Sequence, residues 1–382
     1  MTKTADAKIL MVDSETSWRG GEGQIELLMK GLIETGFDVT LAASADAAIT
    51  RRAAALGVPC LELSISGDMD LAAAWTLRGY LRENRCDIVH CHSSHAHGVA
   101  FLADRASRFG RSGSMKTRPL LVVSRRVDFR VAKNRLSALK YKHGADFYIA
   151  ISNGVRDALL ESGVAEDRIQ IVQSGINLNK FAEVRDSRYL LGEFGFTDTT
   201  PVIGNVAALA PHKSQSDFIL AAKRVLRDIP GAKFLIVGEG ELRDELQRLI
   251  NKLGLENCVI LTGFRKDVLE IMALFDCFVL SSYLEGLCTS IMDAQALGVP
   301  VVATRTGGVP DLVEDGATGL LVPPRQPQRL AEAIIRMIRE PGLAQGCSKR
   351  AQAKARSYDY GRMVRGTIDV YHQLLHSAVR AN

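Results

Sequence analysis

Ser281-Ser-Tyr-Leu-Glu285-Gly-Leu-Cys-Thr-Ser-Ile-Met-Asp293-Ala-Gln-Ala-Leu-Gly298 follows the apolar run Asp276 to Leu280. The run reads as a buried strand, Gly286 as a turn, Thr289 or Ser290 as a helix cap and Gly298 as the helix stop. The stretch is therefore a strand, a loop and a helix start, with a carboxylate at each end. If all eight steps from Glu285 to Asp293 were helical, the carboxylates would lie about 80° apart in azimuth and roughly 12 Å apart along the axis. They cannot grip one atom. They suit an elongated anionic ligand held at two hydroxyl-bearing ends, its negative middle over the exposed N–H groups of the helix start. A nucleotide sugar has that shape.

The same unit recurs outward from this stretch. Lys8 to Val12 reads as a short buried strand, followed by Asp13-Ser-Glu-Thr-Ser-Trp-Arg-Gly-Gly-Glu-Gly23 and a helix carrying Ile25, Leu28, Met29 and Leu32 at helical spacing. Strands near Asp38 to Leu41, Cys86 to His90, Leu120 to Val123, Phe147 to Ile151 and Ile169 to Gln173 continue the series. After a polar stretch near residues 175 to 200 it restarts with Pro201 to Val206, Phe234 to Val237, Val259 to Leu261, Cys277 to Leu280, Val301 to Ala303 and Leu320 to Val322. Strands separated by helices predict doubly wound parallel sheets, here two of them. Such halves are expected to meet at a cleft lined by strand carboxyl ends. The closing segment, Tyr358 to Leu375, carries Met363, Ile368, Tyr371, Leu374 and Leu375 on one helical stripe and requires an apolar surface to cover.

Length and composition agree with two α/β domains: 382 residues, 47% hydrophobic and 24% charged. No window approaches the roughly 18 uncharged apolar residues of a membrane span, and Met1 to Lys8 lacks a signal-peptide core, so a cytoplasmic address is expected. The seven cysteines, Cys60, Cys86, Cys91, Cys258, Cys277, Cys288 and Cys347, show no paired spacing and are expected as buried free thiols. Net charge is +5, yet Arg105 to Lys142 holds twelve Lys or Arg against the single acid Asp128. That block suits an anionic membrane surface, a phosphorylated lipid or nucleic acid, set against the plainer reading of a solvated helix face.

Several strand ends carry groups that can do chemistry. Gly20 and Gly21 let a phosphate or sugar approach a helix N-terminus, or simply make a turn. In His90-Cys-His-Ser-Ser-His-Ala-His97 the alternation puts His90 and His92 on one face. No cysteine pair or carboxylate completes a metal set there, and no dedicated metal site is expected. One imidazole hydrogen-bonding a sugar hydroxyl is the better reading. Arg125 and Arg126 end another strand and suit phosphate or an anionic acceptor through their planar forks. In the second half, Lys213 can neutralise a pyrophosphate. Gly238 in Val237-Gly-Glu-Gly240, and Gly263 with Phe264, add loops at the same sheet edge.

These motifs together resemble the family 4 retaining glycosyltransferases. The resemblance runs from Gly20-Gly21 through Asp87-Ile-Val-His-Cys-His92, Ser174-Gly-Ile-Asn177, Lys213 and Glu285-Gly-Leu to Gly307-Gly-Val-Pro-Asp-Leu-Val-Glu-Asp-Gly-Ala-Thr-Gly-Leu-Leu-Val-Pro323. It implies two facing Rossmann-like domains (the GT-B fold). The first, 1–178, would bind the acceptor, and the second, 179–358, the nucleotide sugar. A helix over 359–382 would cross back onto the first domain. By position it assigns Glu285 and His92 to catalysis, with Glu285 on donor sugar hydroxyls. Leu287, Cys288 and Thr289 would hold the distal phosphate by their amides, Asp293 the ribose, Lys213 the pyrophosphate, and Gly263-Phe264 the base. His92 and Gly20-Gly21 would close over phosphate and sugar.

The implied activity is metal-independent, retaining transfer from a UDP- or GDP-sugar, and the basic segment Arg105 to Lys142 adds the expectation of a lipid-linked or lipopolysaccharide-like acceptor at the inner face of the plasma membrane. No cofactor beyond the donor and no nucleic acid partner is expected. An epimerase or hydrolase on the same fold, or a non-catalytic nucleotide- or lipid-binding relative, are the alternatives. Two departures stand out. Asp293 replaces the family's usual glutamate, and Ala208 stands five residues before Lys213, where the family often has arginine. Arg265 or Arg19 are the candidate replacements for that cation.

Overall fold

The computed structural model describes residues 7–108, 118–127, 135–182, 184 and 187–380. The chain divides into two compact units, Met1–Gly175 with Tyr360–Asn382, and Ile176–Asp359. Each is built on one parallel sheet.

In the first unit the strands are β1 (Lys8–Val12), β2 (Asp38–Ala43), β3 (Cys60–Glu62), β4 (Ile88–Cys91), β5 (Leu120–Arg125), β6 (Phe147–Ala150) and β7 (Ile169–Ile171). Their order is β3-β2-β1-β4-β5-β6-β7. The strand β3 had no counterpart in the sequence reading, because Cys60-Leu-Glu62 is too short to show a period. The second sheet holds β8 (Val202–Val206), β9 (Lys233–Val237), β10 (Val259–Gly263), β11 (Cys277–Leu280), β12 (Val301–Thr304) and β13 (Leu320–Val322), in the order β10-β9-β8-β11-β12-β13. Every paired strand runs parallel. Parallel strands covered on both faces read as unbroken apolar runs, as Cys277-Phe-Val-Leu280 does with all four residues buried.

The order of winding reverses between β1 and β4 in one unit and between β8 and β11 in the other. At such a reversal the two following loops part in opposite directions and leave a crevice at the strand carboxyl ends. This is what positions the candidate sites.

Helices cover the sheets. In the second unit the helix Gln215–Asp228 turns Phe218, Ile219, Ala222 and Val225 inward. It packs against the helix Pro327–Arg339, which buries Leu330, Ile334 and Met337. Pro327 at the first helical position removes an N–H that would have no intrahelical acceptor. Four cysteines (Cys91, Cys277, Cys288 and Cys347) are buried, but Cys60 is exposed and Cys86 and Cys258 are partly so. The sequence expectation of buried thiols therefore fails at Cys60, which lies on the edge strand.

The last helix, Tyr360–Arg380, belongs to the first unit, where Met363, Val364, Val370 and Tyr371 join its core. The chain leaves that unit at Gly175, whose carbonyl and N–H both bond the Gln24 side chain, at 2.8 and 2.9 Å. The returning helix lies directly on the helix Gly20–Glu34. A Cβ placed on Gly31 would sit 2.4 Å from Cγ2 of Val364. Among the described residues no helix is long and apolar enough to cross a membrane.

Gly31 is thus the contact that lets the last helix dock. The substitution Gly31→Ala gains up to about 1 kcal/mol of helix propensity, yet overpacks a filled seam at about 1–3 kcal/mol. It should lower the urea midpoint, and adding Val364→Ala should restore part of the loss. Independent, additive effects of the two substitutions would contradict the contact.

Candidate functional site

In the second unit the crevice between β8 and β11 is closed by a network joining their two loops. Tyr283 N–H donates to the His212 carbonyl at 2.9 Å, and Ser281 Oγ donates to the Lys213 carbonyl at 2.9 Å. Lys213 Nζ then reaches Glu285 Oε2 at 2.6 Å, with side chains 16% and 9% exposed. The Glu285 carbonyl accepts from Gly308 N–H at 3.0 Å, which ties in the loop after β12. The pair is nearly dry, so each charge depends on the other to offset its desolvation.

Beyond Glu285 the backbone enters the helix Thr289–Ala296 with Cys288 as its cap residue. The N–H groups of the first turn of any helix lack intrahelical acceptors and present partial positive charge. Leu287 and Cys288 are buried, and burial with the nearby Glu285 charge pushes the Cys288 thiol up to about 12. That thiol stays protonated and serves as packing. One turn on, Asp293 Oδ1 is 2.8 Å from Lys180 Nζ. Burial raises the Asp293 carboxyl, and Lys180 pulls it back.

The glycine loops have unequal roles. Gly238 has φ +141°, and a Cβ there would lie 2.0 Å from the Ala207 carbonyl oxygen. Its glycine is demanded by the close approach of the loop after β8, whether or not a ligand binds. Gly263 closes β10 and accepts from Gly238 N–H at 3.0 Å. Next to it Phe264 is 69% exposed, an aromatic face open for stacking.

The crevice of the first unit is polar. Asp13 follows β1, His92 follows β4 and donates its N–H to the Val12 carbonyl at 3.0 Å, and Arg126 follows β5. Gly20 and Gly21 open the helix Gly20–Glu34, and Glu22 reaches back to the Arg19 N–H at 2.6 Å. Burial, then Glu22 and Glu15, push the Asp13 carboxyl up from 3.8 to about 7. Burial likewise raises Glu22 and lowers Arg126 to about 10, the latter held up by Asp13 and Glu22.

The four histidines separate. His90 Nδ1 and Nε2 are engaged by Tyr371 at 2.6 Å and Ser124 at 2.8 Å. His92 stacks at a tilt on His90, ring centres 4.1 Å apart, and neither of its nitrogens has a partner among the described residues. Burial drives the His92 pKa well below 6.5, so this imidazole is neutral. His95 pairs with Asp68 at 2.6 Å, and His97 is buried beside Tyr141 and Tyr148.

Arg125 and Arg126, neighbours on the chain, have different surroundings, the first ending β5 and the second just beyond it. The Arg125 guanidinium lies over the Tyr141 ring and bonds its hydroxyl, away from Arg126. Other charges of the basic segment are also engaged internally. Arg118 forks onto Asp146 at 2.8 and 2.5 Å, and Lys140 holds Asp68 at 2.6 Å. The charges at Arg130, Lys133 and Arg135 lie outside the described side chains.

The Glycosyltransferase Family 4 model matches residues 18–180, and the model described as Glycosyl transferases group 1 matches residues 190–354. The chain belongs to glycosyltransferase family 4. Among curated members, a GDP-mannose-dependent phosphatidylinositol monomannoside mannosyltransferase of Corynebacterium glutamicum is 34% identical over 194 residues, 48% of this chain and 50% of that one. The match thus spans about half of that relative's length. The Escherichia coli UDP-Gal:alpha-D-GlcNAc-diphosphoundecaprenol alpha-1,3-galactosyltransferase is 28% identical over 296 residues, 73% of each chain. Anabaena HepE, solved with UDP-glucose, superposes with a TM-score of 0.82 over 97% of this chain and 99% of its own, at 23% identity. At that identity it establishes the GT-B fold.

For this family 4 chain the structure bears on one of the two cations offered in place of the side chain absent at Ala208. Arg265 is engaged by two carboxylates: it forks onto Glu193 and Asp267, at 2.5 and 2.7 Å for the shorter contacts. The lysine that does reach the Glu285 to Asp293 stretch is Lys180, 113 positions from its partner. No local pattern marks it. Asp13 was missed for a similar reason, since an acid closing a strand resembles any loop acid until its burial is known.

Two outcomes follow. Lys213→Met should destabilise the protein by about 3 kcal/mol by leaving the Glu285 carboxylate short of its lysine. The double variant with Glu285→Gln should be less destabilised than the sum of the two singles. Separately, between pH 3.8 and about 7 folded Asp13 keeps a proton that the unfolded chain releases, so this group makes stability fall as pH rises through that window. Asp13→Asn should therefore match the wild type near pH 4 and exceed it at pH 8, by up to about 4 kcal/mol, in urea titrations at each pH.

Proposed function

We propose that this chain is a metal-independent, retaining glycosyltransferase that moves a sugar from a UDP- or GDP-sugar to a lipid-linked or lipopolysaccharide-like acceptor in cell-envelope glycan synthesis. The observation that carries the reading is the Lys213–Glu285 pair at the β8/β11 crevice, set before the helix start and followed by Asp293 with Lys180. A nucleotide sugar has matching chemistry along its length: sugar hydroxyls, a dianionic pyrophosphate and a ribose diol. Glu285 is assigned to the sugar hydroxyls, and the amides of Leu287, Cys288 and Thr289 to the distal phosphate. Asp293 takes the ribose, and Gly263 with Phe264 the base.

The chemistry depends on charge that develops on the departing pyrophosphate. Lys213 meets it as a mobile point charge that phosphate draws from Glu285, and in doing so frees the carboxylate for the sugar. Lys180 is assigned the neighbouring negative charge, the part for which Ala208 has no side chain. The departing phosphate helps deprotonate the acceptor on the same face, which retains the anomeric configuration. Neutral His92, with both nitrogens unpartnered, is assigned as hydrogen-bond partner to a sugar hydroxyl, beside Gly20 and Gly21.

The acceptor class is supported by the acceptors for which two relatives are named, a phosphatidylinositol monomannoside and a diphosphoundecaprenol-linked sugar. With an acceptor of that kind the reaction would run at a membrane surface, for which the inner face of the plasma membrane is proposed.

The test combines binding with turnover. A panel of UDP- and GDP-sugars should raise the melting temperature for at least one donor. With that donor, Glu285→Gln should lower kcat at least 100-fold. Lys180→Ala should raise the donor KM roughly tenfold, about the 1.4 kcal/mol of one charged contact. Undiminished transfer by Glu285→Ala would remove Glu285 from the site, and absence of any donor effect would remove the reading.

A further inference from the structure

Two residues other than glycine have left-handed backbone among the described residues, Ser214 at φ +50° and Arg325 at φ +58°. Both lie on loops at the carboxyl edge of the second sheet, Ser214 after β8 beside Lys213 and Arg325 after β13. For a residue with a Cβ this conformation is strained, and such strain collects at ligand sites. At Arg325 it accompanies a placed cation: the guanidinium lies over the Tyr283 ring, 4.2 Å from its centre. Tyr283 is itself fixed, its N–H on the His212 carbonyl at 2.9 Å and its own carbonyl accepting from Thr306 Oγ1 at 2.8 Å. The loops after β8, β11 and β12 thus hold the seat of a residue from the loop after β13. Stacking covers one face of the guanidinium and leaves its in-plane N–H groups free. Arg325 is exposed, and among the described residues it meets no carboxylate, whereas Arg305 on the loop after β12 is held by Asp315 at 2.9 Å.

The order of the strands sets what this cation can meet. The contacts assigned to the donor run one way along the sheet edge, from the base at the loop after β10, through Lys213 after β8, to the sugar at Glu285 after β11. The strands β12 and β13 continue in that direction. Arg325 reaches back from there only as far as Tyr283, two residues before Glu285, and so lies on the sugar side of the assigned donor. The pyrophosphate is already assigned Lys213, Lys180 and the helix start. In transfer the sugar end faces the acceptor, and a lipid-linked acceptor is joined to its lipid through phosphate. A planar fork with free N–H groups matches phosphate, two bonds at a time. We propose that Arg325, seated on Tyr283, binds a phosphate of the acceptor's lipid link. That the phosphate is the acceptor's rests on the glycosyltransferase reading above; that Arg325 holds phosphate does not.

Calorimetric titration of the full chain with geranyl diphosphate tests it, with geraniol as the uncharged control, each with and without saturating UDP or GDP. Geranyl diphosphate should bind with the nucleotide in place, and geraniol far more weakly. Arg325→Gln should lower that affinity about tenfold, the loss of one charge-assisted contact. Arg325→Lys, which keeps the charge without the fork, should lower it less, and Tyr283→Leu, which removes the seat, should lower it too. Arg325→Gly supplies the residue this backbone favours. It should lose phosphate binding while keeping the urea midpoint of the wild type, which separates a ligand contact from a structural clasp. Failure of geranyl diphosphate to bind, full binding in Arg325→Gln, or displacement of the probe by the nucleotide would each overturn the proposal. So would an Arg325→Gly variant that loses stability and keeps the binding. Weakened binding of UDP-glucuronate by Arg325→Gln, with geranyl diphosphate unaffected, would assign the cation to the donor sugar and overturn it as well. The melting shift with UDP or GDP, read on the same samples, reports on the donor site. Its absence with Arg325-dependent binding intact sinks the donor reading alone.

Discussion

The contact on which the second unit depends is the buried ion pair between Lys213 and Glu285. Neither residue belongs to a strand; each sits on a loop that leaves the sheet on its own side of the reversal between β8 and β11. Coulomb attraction between them is strengthened by burial, and Ser281, Ser282 and Leu287 on the same stretch as Glu285 are buried as well. Taken together with the hydrogen bonds at Tyr283 and Ser281, the pair fixes two loops that have no sheet ladder to hold them. A group that could orient a ligand is thereby also a group that holds the loop in place.

Both units use the same geometric opportunity with different chemistry. In the second, two lysines paired with Glu285 and Asp293 lie beside a helix start. In the first, a single arginine is surrounded by carboxyls and a neutral imidazole. The contrast comes from a few residues just beyond the strands, because the strands beneath are nearly interchangeable runs of Val, Ile, Leu and Phe. Fold and chemistry are thus written in separate parts of the sequence.

That separation explains what could be read in advance. Apart from the edge strand β3, the alternation of apolar strands and helices was legible from Lys8 to Val322, since packing on both faces of a parallel sheet leaves continuous apolar runs. The stretch from Glu285 to Asp293 was legible because its residues are close in sequence. Lys180 and Asp13 were not, as one acts across 113 positions and the other gains its character only from burial. Arg125 and Arg126 looked equivalent, and only their surroundings, Tyr141 for one and the charges of Asp13 and Glu22 for the other, tell them apart. In the basic segment, net charge counts Arg118 and Lys140 without their partners Asp146 and Asp68, which are supplied from other parts of the fold.

The route of the chain carries a consequence for how the molecule is made. The first unit begins at the N-terminus, yet its core includes Val364, Val370 and Tyr371, and the hydroxyl of Tyr371 holds His90. During synthesis those residues emerge after the whole of the second unit. Until then the groove on the helix Gly20–Glu34 that receives them stays uncovered, and His90 lacks one of its two partners. The second unit, contiguous from Ile176 to Asp359, can close its own core as soon as it is released. The part of the protein that is started first is finished last.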